Sequence, residues 1–146
     1  MAMTTNSPLK ILKLAKNEVN SVDDKLLAQA VNQLEEVDLY DTKLTTQQAE
    51  EILVAIITSS KLKVLNMQNN KLSSVDPDIM AKAVNKLDSV EMYNTDLTQQ
   101  QITKILSRSL VKTSLDHIAM GNGQGQGFNM ELFKQAMKFI RQLYLV

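Results

Sequence analysis

The chain has 146 residues, 16 Lys plus Arg against 16 Asp plus Glu, and no Cys. Balanced charge removes the global attraction that nucleic-acid and membrane-surface binders use, and the lack of thiols excludes disulfide frameworks, cysteine zinc sites and thiol catalysis. Hydrophobic residues make up 44% of the sequence, yet no apolar run reaches the roughly 18 residues of a membrane span and the opening MAMTTNSP is unlike a signal peptide, so a cytoplasmic protein without nucleic-acid or membrane partners is expected.

After a tail of residues 1–8, the chain repeats itself. Leu9 to Lys61 aligns without a gap onto Leu62 to Ser114, with 21 of 53 positions identical, and self-similarity of this kind governs any fold argument. Each unit divides again, with segment starts at Leu9, Leu34, Leu62, Leu87 and Leu115, spaced 25, 28, 25 and 28. The first segment places Leu9, Leu12, Leu14, Asn17 and Val19; the second, Leu34, Val37, Leu39, Thr42 and Leu44. The third places Leu62, Leu65, Met67, Asn70 and Leu72; the fourth, Leu87, Val90, Met92, Thr95 and Leu97. The period-two pair inside each segment predicts a short strand with one buried face, so burial is expected at Leu12, Leu14, Val37, Leu39, Leu65, Met67, Val90 and Met92.

After each strand the period changes. LLAQAV, AEEILVAII, IMAKAV and ITKILSRSL place apolar residues three and four apart, as an amphipathic helix does. Asp23 and Asp76, the latter followed by Pro77, are predicted N-caps; Thr45 with Gln48 and Thr98 with Gln101 fit the capping box. A fifth segment begins at Leu115, Ile118 and Met120 and runs into a Gly-rich loop, residues 121–127, which holds all four glycines. Residues 128–146 are predicted as one C-terminal capping helix. Phe128 and Phe133 form a staple around Asn129, and Leu132, Phe133, Ala136, Met137, Ile140, Leu143 and Tyr144 share its apolar side.

The pattern L-x-x-L-x-L-x-x-N/T-x-L over residues 9–120 resembles the leucine-rich repeats of the ribonuclease-inhibitor-like class, and is similar to repeat arrays of invertebrate nucleotide-binding leucine-rich-repeat receptors. The resemblance implies an α/β leucine-rich-repeat solenoid: a right-handed β-α superhelix with a parallel concave sheet and outer helices. A right-handed crossover is also the general rule for parallel strands joined by helices. The resemblance further implies that Asn17, Thr42, Asn70 and Thr95 bond backbone in the turn after each strand. The start at Leu9 without a capping segment reads as an excerpt from a longer array, whose open first strand would favour end-to-end self-association.

No catalytic, metal or cofactor site emerges, so the protein is expected not to be an enzyme. The single His, His117, lies in the fifth strand with no nucleophile pattern around it. The pairs Asp23 and Asp24, Glu35 and Glu36, and Glu50 and Glu51 are adjacent, so their side chains diverge on a helix or strand instead of converging on a ligand. The glycine heptad lacks the third glycine of a dinucleotide loop, having Gln126 there, and lacks the Lys and Ser/Thr of a Walker loop.

The remaining candidate is the solvent side of the strands. Asp38, Tyr40, Asp41, Asn66, Gln68, Glu91, Tyr93 and His117 are predicted to share the concave face, with tyrosines at equivalent positions of the two modules. Solvent-facing tyrosine is a preferred binding anchor. A non-catalytic protein–protein recognition module that takes a protein or peptide, basic in character, is therefore expected. Two other readings stand beside it: a structural or scaffold segment of a larger receptor, and, implied by the resemblance to ribonuclease inhibitors, a protein inhibitor of a basic enzyme. GTPase activation through a loop arginine, also known in this class, is disfavoured because Arg108 and Arg141 both fall in predicted helices.

Overall fold

The computed structural model describes residues 8–121 and 129–145. Strands and helices alternate throughout: β1 (Ile11–Lys13), α1 (Asp24–Asn32), β2 (Glu36–Asp38), α2 (Thr46–Thr58), β3 (Val64–Asn66), α3 (Pro77–Val84), β4 (Ser89–Met92), α4 (Gln99–Ser109), β5 (His117–Met120), α5 (Met130–Ala136) and β6 (Gln142–Leu145). The strands form one sheet in chain order, every pair parallel. A strand and helix of this size cannot enclose a core alone, so each repeat buries its apolar side against its neighbours.

The helices start where short polar side chains satisfy amide donors that have no partner inside the helix. The Asp23 carboxylate accepts the N–H groups of Lys25 and Leu26, both at 3.0 Å, and Asp76 does the same for Asp78 and Ile79 at 2.8 and 3.2 Å. Reciprocal capping boxes form at Thr45 with Gln48 and at Thr98 with Gln101. Between helices and sheet, Val37, Leu39, Leu65, Met67, Val90 and Met92 are all buried. Leu12 and Leu14 correct the expectation of burial, being only partly covered. Leu12 lies on β1 and Leu14 just past it, and among the described residues β1 has a neighbouring strand on one side only.

The C-terminal region departs further from expectation. Instead of one helix over 128–146, the seven-residue α5 ends at Ala136 and the chain returns as β6 beside β5. Ile140, Leu143 and Leu145 follow Leu115, Ile118 and Met120 by 25 residues, and Asn129, which caps α5 by accepting the Leu132 N–H at 2.9 Å, follows Asp76 by 53. This segment therefore opens a third copy of the module. The spacing Ile140-x-x-Leu143 suits a helix turn as well as the approach to a strand, which is why apolar periodicity alone misreads it. The staple residue Phe128 and the glycines after Gly121 lie outside the described residues.

Polar side chains lock neighbouring repeats together. Buried Asn70 donates through Nδ2 to the carbonyls of Leu39, Met67 and Gln68 at 2.7, 3.2 and 3.2 Å, and its Oδ1 accepts the Leu44 N–H at 3.0 Å. Thr42 and Thr95 donate to the Leu39 and Met92 carbonyls at 3.0 and 2.8 Å. Asn17, at the position equivalent to Asn70, is exposed, and among the described residues its side chain bonds only the Leu14 and Ala15 carbonyls of its own repeat. Asn70→Ala is expected to lower stability by about 2–4 kcal/mol, because it orphans buried backbone groups of two repeats, and Asn17→Ala by less than about 1 kcal/mol. Urea midpoints at an unchanged denaturant slope measure both; equal losses would show that the inter-repeat bonds contribute little.

Candidate interaction surface

Alternation along each strand turns one row of residues inward and the two flanking rows to the open face of the sheet. The inward row is Leu12, Val37, Leu65, Val90, Ile118 and Leu143. On the open face, one row aligns Ile11, Glu36, Val64, Ser89, His117 and Gln142, and the other aligns Lys13, Asp38, Asn66, Glu91, Ala119 and Tyr144. Every strand residue predicted for the site, Asp38, Asn66, Glu91 and His117, stands in these rows. Tyr93 follows β4 directly, Tyr40 and Gln68 stand two residues past β2 and β3, and Asp41 lies exposed in the next turn.

Hydrogen bonds divide these residues into two groups. In the first, Glu91 is the centre: Gln68 Nε2 donates to its Oε2 at 3.3 Å, and His117 Nε2 lies 2.9 Å from its Oε1. His117 Nδ1 is in turn 2.9 Å from Gln142 Oε1, and the His117 ring packs against Tyr144 with centroids 5.4 Å apart. Partial burial, then the Glu91 carboxylate, then Tyr144 hold the Tyr93 phenol above the ordinary tyrosine range, so it stays a neutral hydroxyl at physiological pH. The second group lies on the turns: Asn94 Nδ2 donates to Asn69 Oδ1 at 2.6 Å, and Asn69 Nδ2 donates to the Tyr40 hydroxyl at 3.3 Å.

Asp38 and Asn66 do a different job. Each uses Oδ1 to accept the N–H two residues on, from Tyr40 and Gln68, both at 2.9 Å, and so shapes the exit from its strand. Asp41 shares a left-handed backbone, φ 52°, with the equivalent Lys16, Asn69 and Asn94. Asp and Asn tolerate that region better than most residues, which explains them at three of these four positions without reference to a partner.

Four residues of these two groups, Asn69, Asn94, Gln142 and Tyr144, were not among the predicted site residues. Asn69 and Asn94 join the tyrosine turn, and Tyr144, 45% exposed, reaches the face through β6 instead of the side of a helix. A signal for Tyr144 exists in the sequence, since it follows Glu91 by one module length of 53. Among the described residues no group of three or more His, Asp or Glu side chains is placed to hold a metal ion. No helix among them is long and apolar enough to cross a membrane.

Comparison with known proteins agrees with this geometry. A family model described as Leucine Rich Repeat matches residues 61–83, from the loop after α2 through β3 into α3. The C-terminal domain of tropomodulin from Caenorhabditis elegans is similar in structure, with a TM-score of 0.65 and 13% sequence identity, over 86% of this chain and 83% of that one. At that identity the similarity concerns the fold, a leucine-rich-repeat solenoid with parallel sheet and outer helices. No curated protein matches the chain.

Proposed function

We propose that the chain is a non-catalytic recognition module that binds a protein or peptide through the open face of its sheet, with the centre of the site at the C-terminal strands. One observation carries the reading: on a solvent-facing surface His117 meets the carboxylate of Glu91, with Tyr93 beside that carboxylate and Tyr144 packed on the His117 ring. Aromatic groups beside an acid suit a cationic side chain, which gains from charge and ring faces together. Asp38 on β2 extends the negative character two strands away, about 10 Å, so a basic segment laid across the strands meets both acids. Six strands span about 24 Å, well short of the width needed for a standard interface of about 800 Å² per partner, which favours a peptide or one edge of a larger contact.

Titration with a fluorescein-labelled Lys- and Arg-rich decapeptide, followed by anisotropy, tests the reading. Tyr93→Ala and Tyr144→Ala are each expected to weaken binding by about 1–2 kcal/mol without unfolding the chain, and Tyr40→Ala by less. Glu91→Gln should reduce both affinity and its salt dependence. At Asp38 the informative change is Asp38→Asn, which removes charge and keeps the oxygen that accepts the Tyr40 N–H. Unchanged affinity in the combined Tyr40, Glu91, Tyr93 and Tyr144 variant would move recognition off this face. Absence of any binding would favour the scaffold role over both recognition and enzyme inhibition.

A further inference from the structure

The two modules are near-copies in their core but not at one edge of the array. Lys82, Lys86, Arg108 and Lys112 stand where the first module has Gln29, Gln33, Ala55 and Ser59. All four cations line a single groove of about 370 Å³, at the C-terminal ends of α3 and α4, together with Ile57, Asn85 and Ser114. A second groove of about 470 Å³ continues from it, sharing Lys86, Lys112 and Ser114 and running on past Ser59, Ser60 and Leu62. No carboxylate lines either one.

Complementing the helix dipole is the ordinary role of cations at helix C-termini. The first module shows that the fold does not require it, because α1 and α2 end without a basic residue in the last turn whereas α3 and α4 carry Lys82 and Arg108. Lys86 is partly committed, donating to the Ile57 carbonyl at 2.6 Å. Lys82, Arg108 and Lys112 form no ion pair among the described residues.

Asn85, a lining residue of the groove, also carries a buried acceptor left unfilled. In the first module Asn32 donates to the Ala28 and Ile52 carbonyls, and its Oδ1 receives the Ser60 hydroxyl at 2.6 Å. Its twin Asn85 makes the same two donations, to Ala81 and Ile105, but its Oδ1 is the one buried side-chain polar atom without a partner among the described residues. Thr113 has replaced the serine. Such an atom is rare in a folded protein and marks a place where a donor is wanted.

We propose that this basic groove is a second binding site, distinct from the open face of the sheet, for an acidic peptide segment in extended conformation. Its elongated form suits a chain more than a compact ion. Carboxylates meet the cations, and peptide N–H groups supply donors that a fully ionised phosphate lacks. The proposal stands independently of the reading of the concave face.

Anisotropy of a labelled decapeptide of alternating Glu and Ser, with its Gln-for-Glu counterpart as control, tests it on the full chain. Restoring the first-module residues together, as Lys82→Gln, Lys86→Gln, Arg108→Ala and Lys112→Ser, should weaken binding about tenfold or more while circular dichroism and melting stay near those of the parent. The concave-face variant Tyr93→Ala should bind the acidic peptide as the parent does. Equal binding of the Gln peptide, unchanged affinity in the fourfold variant, loss of affinity in Tyr93→Ala, or equally tight binding of a ten-nucleotide oligo(dT) would each overturn the proposal, the last by showing a general polyanion site.

Discussion

Leu65→Ala is expected to cost about 2–5 kcal/mol, because Leu65 sits on a central strand, only 1% exposed, in register between Val37 and Val90. Both flanking positions are occupied by side chains that cannot swing into the vacated space without opening a second gap, so the cavity persists. Leu12→Ala deletes the same atoms at the equivalent position of the first repeat, where the side chain is only partly buried, and should cost less than half as much. Denaturant titration of both variants separates transfer from cavity energy. Equal losses would mean that β1 is as well packed as β3, contrary to its place at the sheet edge.

Gln101→Leu is expected to be destabilising by about 2–4 kcal/mol although it adds no bulk and exposes no apolar surface. The buried amide of Gln101 donates through Nε2 to the carbonyls of Leu72 and Val75, each at 2.8 Å, while Oε1 accepts the Thr98 N–H at 2.9 Å. Leucine leaves the Val75 carbonyl and the part-buried Thr98 N–H without this partner, and the Leu72 carbonyl with only the Val75 N–H, 3.1 Å away. Gln101→Glu sharpens the test. A carboxylate still accepts from Thr98 but faces two carbonyl oxygens, so burial and repulsion raise its folded-state pKa above the unfolded value, and the stability of this variant should increase as pH falls. A Gln101→Glu chain equally stable at pH 4 and pH 7 would show that the glutamine is not a donor to the preceding repeat. Gln48 makes the same bonds, to Val19 and Val22 at 2.7 and 2.8 Å, and should behave alike.

The solenoid was legible because its information is written repeatedly. Each strand is announced by a period-two pair, each helix by an Asp or Thr cap, and four copies agree, so the parallel sheet and its buried row follow from periodicity and capping chemistry alone. Gln48 and Gln101 were readable only as capping-box partners. Their second role depends on what the preceding repeat offers, which no local pattern contains. The sixth strand was hidden because the glycine stretch interrupts the pattern and the Ile140-to-Leu143 spacing satisfies a helix equally well. The candidate face was legible as a set of positions and not as a network. Strand alternation places Glu91, Gln68 and His117 side by side, but whether Gln68 turns toward Glu91 or toward Asp38 is settled by side-chain reach in three dimensions.

The buried amides also fix the step by which such an array grows. Repeats of 25 and 28 residues alternate, and the contacts across successive boundaries are of two different kinds: Asn70 reaches back from a 25-residue repeat to the Leu39 carbonyl, whereas Gln48 and Gln101 reach back from the 28-residue repeats to the carbonyls of Val19 and Leu72. Inserting a single repeat would set like against like and leave one of these amides facing a neighbour without its matching carbonyls. Inserting 53 residues restores every bond. Length in this molecule is thus quantised in pairs, and recombination or engineering that cuts at Leu9, Leu62 or Leu115 preserves the interior chemistry, whereas a cut at Leu34 or Leu87 is compatible only with a donor segment that begins in the same phase.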